Sequence, residues 1–372
     1  MNLPNTQNII STPLAQIFKS TSATYKFYWF YSILQIIEAN KTETTQTELI
    51  ASMIGNVWFP ITKYRLSFGK QDKLANIVDE ILESDNLLLA FELKTKQSDI
   101  VTGILAFLKA HPKSKLARNI LKLGNYVPYR FLSPWCKDIL KNVKDSQVEQ
   151  TIKSYASDID QNKNLPYFFE NDKVIFQQKW LTYFKENLRI CYDYCFWNLL
   201  EFLQKRNPNV PNIAGKLFPP NPKNRTLSEE RKYWKIISNE LETPLRCIFS
   251  GELIQMEDYA LDHFIPWSFV THNLLWNLVP IVPSVNSSKS DNLPDLNLYF
   301  KKFGNLQFEA FHIWQEKGKR KKLEDYLIIG HSINEISQLS KSDFILKLEN
   351  QIKPLTQIAQ NMGFQSNWTY QK

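Results

Sequence analysis

Residues 206–227 read Arg-Asn-Pro-Asn-Val-Pro-Asn-Ile-Ala-Gly-Lys-Leu-Phe-Pro-Pro-Asn-Pro-Lys-Asn-Arg-Thr-Leu, with five prolines and five asparagines in 22 positions. Each proline removes an amide donor and fixes its backbone φ, so no long helix or central strand runs through this tract. It is therefore the expected boundary. The 372 residues leave room for about two or three domains. The division expected is 1–205, then a connector and basic helix over 206–240, then 241–300, then 301–372.

The region before the tract reads as helical. Residues 25–40, Tyr-Lys-Phe-Tyr-Trp-Phe-Tyr-Ser-Ile-Leu-Gln-Ile-Ile-Glu-Ala-Asn, are apolar on a wide face, as a buried core helix requires. The helical pattern extends over 11–40. Further helices are expected from Thr45 toward Trp58 and ending before Pro60, over 73–83, over 99–110, over 135–144 and over 186–205. Thr45 with Glu48 fits a capping box, and His111-Pro112 should end the fourth helix. Residues 173–176, Lys-Val-Ile-Phe, are prone to either strand or helix. After the tract, 228–240 resumes as a basic helix. Residues 337–362 repeat apolar positions at helical spacing, with Pro354 marking a kink or break. Aromatic residues reach 13%, which excludes a disordered chain. Only 10 of 372 residues are glycine, against an average of about 7%, which argues against folds built on several glycine loops.

Cys136, Cys191, Cys195 and Cys247 are too few and too scattered for a disulfide framework. Residues 1–16 lack the basic start and apolar run of a signal peptide, and no apolar run is long enough to span a membrane. A cytoplasmic protein with reduced thiols is expected. Lys+Arg number 45 and Asp+Glu 37, a net charge of +8, which suits a polyanionic partner.

Chemistry concentrates after Cys247. The text there includes Tyr259-Ala-Leu-Asp-His-Phe-Ile-Pro-Trp-Ser268, Asn273-Leu-Leu-Trp-Asn-Leu-Val-Pro280 and Val285-Asn-Ser-Ser-Lys-Ser-Asp-Asn-Leu-Pro294. Asp262 and His263 are adjacent, so a regular strand would send them to opposite faces. A local distortion is needed to bring both to one cleft. A carboxylate is a hard ligand for Mg²⁺ or Mn²⁺, and Asn286 offers a second oxygen. A neutral imidazole takes a proton from water near pH 7. Lys289, one helical turn beyond Asn286, can meet a phosphate. These are the parts of a one-metal phosphodiester hydrolase.

The segment resembles the HNH nuclease family. His263 is the first letter, Asn277 the second, 14 residues on, and Asn286 the third, another 9 on. It is similar to the HNH domain of RNA-guided CRISPR nucleases, in which Asp-His-x-x-Pro-x-Ser-Phe precedes Asn-x-x-Lys-Ser-Asp-Asn-x-Pro. Asp262, His263, Pro266, Ser268, Phe269, Asn286, Lys289, Ser290, Asp291, Asn292 and Pro294 are in step. The resemblance implies a ββα-metal site, two strands, a loop and a helix around one divalent ion, Mg²⁺ or Mn²⁺. It implies Asp262 and Asn286 as metal ligands, His263 as general base, Asn277 as a brace of the loop that orients His263, and Lys289 near the scissile phosphate. Many members carry a structural zinc on two Cys-x-x-Cys pairs. Here those positions are Cys247, Ser250, Val282 and Val285, so no structural zinc is expected.

Other features have ordinary readings. His111, His272, His312 and His331 read as structural, and Trp267 and Trp276 as core anchors more than base-stacking groups. Lys317, Lys319, Arg320, Lys321 and Lys322 are the densest basic run: a solvated surface, or a phosphate-gripping nucleic-acid patch beside a nuclease motif. Arg231, Lys232 and Lys235 are a weaker patch. The fold class expected is α+β, a mostly helical N-terminal domain plus a small HNH module with a helical C-terminal extension. The function expected is metal-dependent hydrolysis of DNA in restriction or phage defence, with residues 1–205 choosing a target or binding a partner protein or second copy. The alternatives are an RNase, or a non-catalytic nucleic-acid-binding or effector-complex subunit with an HNH core.

Overall fold

A computed structural model describes residues 3–6, 9–84, 96–158, 162–219, 226–318 and 320–371. The fold is α+β, dominated by helices with two small sheets. The chain divides into two units: residues 1–208 with 217–219, and residues 209–216 with 220–372. The basic helix and the C-terminal helices thus belong to the same unit as the HNH-like segment. Among the described residues, no helix is long and apolar enough to cross a membrane.

The first unit is organised by the aromatic helix Tyr25–Glu38. Phe27, Trp29 and Phe30 are buried. Trp29 Nε1 donates to the Tyr167 hydroxyl at 3.0 Å, which donates onward to Pro128 O. The helix starts fourteen positions later than the pattern over 11–40 predicts; between 11 and 24 there is a 3₁₀ turn, Leu14–Gln16, and no α-helix. The serines and threonines of residues 20–24 explain the break, because their side chains compete for backbone groups. Asp72 accepts from both the amide and the hydroxyl of Thr24 at 2.6 Å. Helix Gln46–Thr62 begins where expected, with Thr45 Oγ1 accepting from Glu48 N at 3.0 Å, but it runs through Pro60 to Thr62. Residues 135–144 are successive turns instead of a helix. Only Cys136 is buried there, so no apolar stripe anchors a helix to a core. Residues 173–176 form a strand. β1 (Glu43–Thr45), β2 (Tyr167–Glu170) and β3 (Lys173–Phe176) make an antiparallel sheet in the order β1-β3-β2.

In the second unit, β4 (Ala260–His263) pairs antiparallel with β5 (Leu278–Ile281), Asp262 opposite Val279 and His263 opposite Leu278. Helix Pro283–Lys289 follows β5 and packs on β4. Behind the hairpin lies helix Leu296–Glu316, whose Phe303 stacks on Phe264 at 4.0 Å between ring centroids. Gln307, also fully buried, donates to Leu278 O at 2.7 Å and accepts from the Tyr326 hydroxyl at 2.6 Å. Helix Lys341–Asn361 crosses close by at Gly304, where a Cβ would sit 3.1 Å from Ile345. That helix continues through Pro354 instead of breaking. Pro354 and Asn350, whose carbonyl it leaves without a helical partner, are both exposed. The C-terminal tail then lies along residues 293–295, with Leu293 N donating to Gln365 O and Trp368 N to Leu293 O.

Candidate active site

β4 stays in regular antiparallel register through Asp262 and His263, without the local distortion expected there. Asp262 and His263 are both buried, 7% and 8% exposed. Immediately beyond, Phe264 N donates to Asn277 O at 2.7 Å, and Ile265 is held by the Asn277 side chain. Asn277 Oδ1 accepts from Ile265 N at 2.8 Å and its Nδ2 donates to Ile265 O at 2.9 Å. One fully buried amide therefore satisfies both backbone groups of Ile265. It fixes the path of the loop leaving His263.

Lys289 ends the helix Pro283–Lys289 and is fully buried. Its ammonium donates to His263 O at 2.8 Å and lies 2.9 Å from Asp262 Oδ2. Sequence reasoning points Lys289 at a phosphate; the structure seats it against the carboxylate and strand that would hold the metal. Burial raises the pKa of Asp262, and the Lys289 charge opposes that shift. The ion pair is close, yet Asp262 Oδ2 has no hydrogen-bond donor in line with it. A buried carboxylate oxygen in that state is an incompletely satisfied acceptor. Asn286 stands on the same helix, half-buried, one turn before Lys289. Ser290 follows with φ of +47°, a costly conformation for a residue with a side chain, and turns the chain away from the site.

The chemistry of the donors suits a hard cation: a carboxylate oxygen of Asp262, now facing the Lys289 ammonium, and the amide oxygen of Asn286 on the same helix as that lysine. Among the described residues no cluster of three or more His, Cys, Asp or Glu is placed to hold a metal. Cys247 is buried and free, closing a tight turn in which Gly251 N donates to Cys247 O at 2.8 Å. Gly251 takes φ of +77° there. Of the other positions the zinc pattern would occupy, Val285 is fully buried and Val282 and Ser250 are half-buried.

Sequence reasoning misses Asn273. Its Oδ1 lies 3.1 Å from His263 Nε2, ten residues along and across the loop. The only sequence signal is a polar residue in a loop, which does not specify a partner. His272, beside it, is held neutral, its pKa pushed down to about 4 by burial and by the nearby Lys216 charge. Trp267 and Trp276 are buried, as core anchors are.

The basic run is only partly outward. Lys317 pairs with Glu240 at 2.5 Å and Lys322 approaches Glu230 at 3.7 Å, both acids on or at the end of helix Ser228–Glu240. Lys321 is exposed. Lys319 lies outside the described residues, as does the side chain of Arg320.

A family model described as HNH endonuclease matches residues 247–295. None of the curated proteins and none of the solved structures matches the chain. The matched span begins at the Cys247 turn, contains β4, the Asn277 brace, β5 and the Lys289 helix, and ends at Asp295, where the long helix is capped. Residues 247–295 are an HNH endonuclease domain.

Proposed function

We propose that the protein is a metal-dependent endonuclease that hydrolyses phosphodiester bonds in DNA. The observation that supports this reading is the buried Lys289 ammonium held between the Asp262 carboxylate and the backbone carbonyl of His263 at one end of a two-stranded hairpin, with Asn286 on the helix that supplies Lys289. Asp262 and Asn286 would hold one Mg²⁺ or Mn²⁺. The ion, when bound, supplies positive charge to the phosphate and leaving oxygen. His263 takes the proton of the attacking water onto its ring. Asn273 fixes that ring: its amide accepts from Nε2–H or, turned over, donates to an unprotonated Nε2. Asn277 keeps the strand end rigid, so that the base is preorganised. Lys289, fully buried, would offset the Asp262 charge and hold the end of the strand through His263 O.

The net charge of +8 favours a polyanion, and the unit formed by residues 1–208 is far larger than cleavage requires. A role in restriction or phage defence, with that unit choosing a target or holding a partner, fits this proportion. Nicking of supercoiled plasmid with Mg²⁺ or Mn²⁺, comparing the wild type with His263→Ala, tests the reading, with single-stranded DNA and RNA run beside it. Metal-dependent nicking lost in the folded variant supports it. Cleavage of RNA alone makes the protein an RNase. Equal activity in both proteins removes His263 from the mechanism, and binding without cleavage of any substrate makes it a nucleic-acid-binding subunit.

A further inference from the structure

Lys216 is a lysine with no exposed surface, in the Pro/Asn-rich segment that precedes the nuclease sequence. Among the described residues no carboxylate lies within ion-pair distance of it. Its ammonium donates to Pro211 O and to Thr271 Oγ1, the latter at 3.2 Å. Asn212, four residues earlier, donates to Thr271 O at 3.1 Å, and Asn212 Oδ1 accepts from Gly215 N at 3.1 Å. The short helix Ile213–Lys216 and the residue just before it thus present two donors to a single residue of the nuclease loop.

Thr271 needs such support. It has φ of +52° and ends the turn Trp267–Val270. A β-branched residue is a genuine outlier there, and such strain persists only where surrounding contacts hold it. Two residues on, Asn273 meets His263 Nε2. The far side of the loop is tied as well, with Leu275 N donating to Asp325 Oδ2 at 2.9 Å. The loop that orients the base is therefore strained at one end and fastened at both.

We propose that Lys216 and Asn212 are positioning residues of the nuclease site: they hold the Thr271 turn, and through it Asn273, against His263. The idea rests on the assignment of His263 as general base, but the contact it describes exists whether or not the protein cuts. A buried lysine without an acid is a costly way to stabilise a fold. Its two acceptors give it a specific mechanical task instead.

The test uses the full chain with ¹⁵N-labelled histidine. There are only 5 histidines, and His263→Ala assigns the relevant signals. Lys216→Met removes both hydrogen bonds and keeps the aliphatic stem. The His263 ring signals are expected to move in the direction produced by Asn273→Ala, while those of His111, His312 and His331 stay in place. Asn212→Ala, an exposed change at a residue with φ of +48°, should move them the same way by a smaller amount, and it serves if Lys216→Met does not fold. In nicking assays kcat should fall about tenfold in Lys216→Met with KM within about twofold, as for loss of one orienting hydrogen bond. The double variant with Asn273→Ala should be no slower than Asn273→Ala alone. Unmoved His263 signals in folded Lys216→Met or Asn212→Ala, or rate losses that multiply in the double variant, overturn the proposal. A wild type that does not nick would refute the nuclease reading alone, since the ring signals still decide the positioning.

Discussion

Lys289→Met isolates the tension at the centre of the site. In the wild type a fully buried ammonium lies 2.9 Å from a carboxylate that is 7% exposed. Removing one member of such a pair leaves the other charged, buried and unpaired, at a cost of about 3–5 kcal/mol. Replacing both by neutral groups of similar size is about neutral or stabilising. Lys289→Met alone should therefore lower stability by about 3–5 kcal/mol, whereas Asp262→Asn with Lys289→Met should return to within about 1 kcal/mol of the wild type or exceed it. A melting shift of roughly 2–4 °C per kcal/mol makes the difference easy to read. A divalent cation offers Asp262 a new partner. At a concentration a hundred times its dissociation constant it adds about 2.7 kcal/mol, recovering most of the loss. Thermal unfolding of the three proteins at about pH 8, with and without Mn²⁺, is the assay. Mn²⁺ should raise the melting temperature of Lys289→Met more than that of the wild type, where the ammonium competes, and least in the double variant. Equal metal shifts in all three would show that Asp262 does not hold the ion. Undiminished stability of Lys289→Met would show that Asp262 does not depend on Lys289 for compensation of its buried charge.

Three further outcomes are expected. Asn277→Ala strips both backbone groups of Ile265 of their partner and should cost about 2–4 kcal/mol in urea denaturation, with nicking lost alongside. His272, whose pKa falls to about 4 on folding from about 6.5 unfolded, is neutral in both states above pH 6.5; between there and pH 4 the unfolded chain binds the extra proton. Stability should fall by up to about 3 kcal/mol across that window, and His272→Gln should remove that part of the decline in denaturant titrations at pH 7 and pH 4.5. Substituting Lys317, Lys321 and Lys322 together by Ala should weaken DNA binding at low salt and flatten its salt dependence by up to about one power of salt per lost contact; an unchanged slope would make the run an ordinary solvated surface.

Local pattern was legible where a helix has a sustained apolar face. Helices Lys73–Leu82, Gln97–Ala110, Leu188–Gln204 and Ser228–Glu240 lie where periodicity puts them. It failed where tertiary contact decides. The stretch over 135–144 has the right spacing but nothing to bury against. Pro354 is the wrong residue for a helix, but the carbonyl it leaves without a partner belongs to an exposed residue, Asn350. The strands β1 to β3 are too short for a period to show. Within the candidate site, residue chemistry pointed to Asp262, His263, Asn286 and Lys289, and the resemblance to HNH nucleases added Asn277, all on or beside one hairpin and one short helix. Asn273, Asn212 and Lys216 were invisible. Their roles depend on which loop meets which segment, and no spacing encodes that. Lys289 stands between the two cases: its position on the helix was readable, but its partner was not.

The distribution of buried charge ties these observations to function. Among the described residues the buried acidic and basic side chains, with histidine, are Asp72, Lys216, Asp262, His263 and Lys289. Burying such groups costs several kcal/mol each unless neighbours compensate. Asp72 is compensated by an ordinary device, capping Leu74 N and bonding both polar groups of Thr24. The other four lie in the unit that contains the HNH domain. Asp262, His263 and Lys289 touch through two contacts, while Lys216 acts on the loop that reaches His263. A fold selected for stability alone would place apolar groups of similar volume there. Perturbed, desolvated ionisable groups gather where chemistry is done. The same reasoning makes the arrangement vulnerable: apolar replacement of the Asp262–Lys289 pair should yield a more robust protein that no longer cuts. A variant of that kind that kept both its stability and its nicking would place the chemistry elsewhere in the molecule.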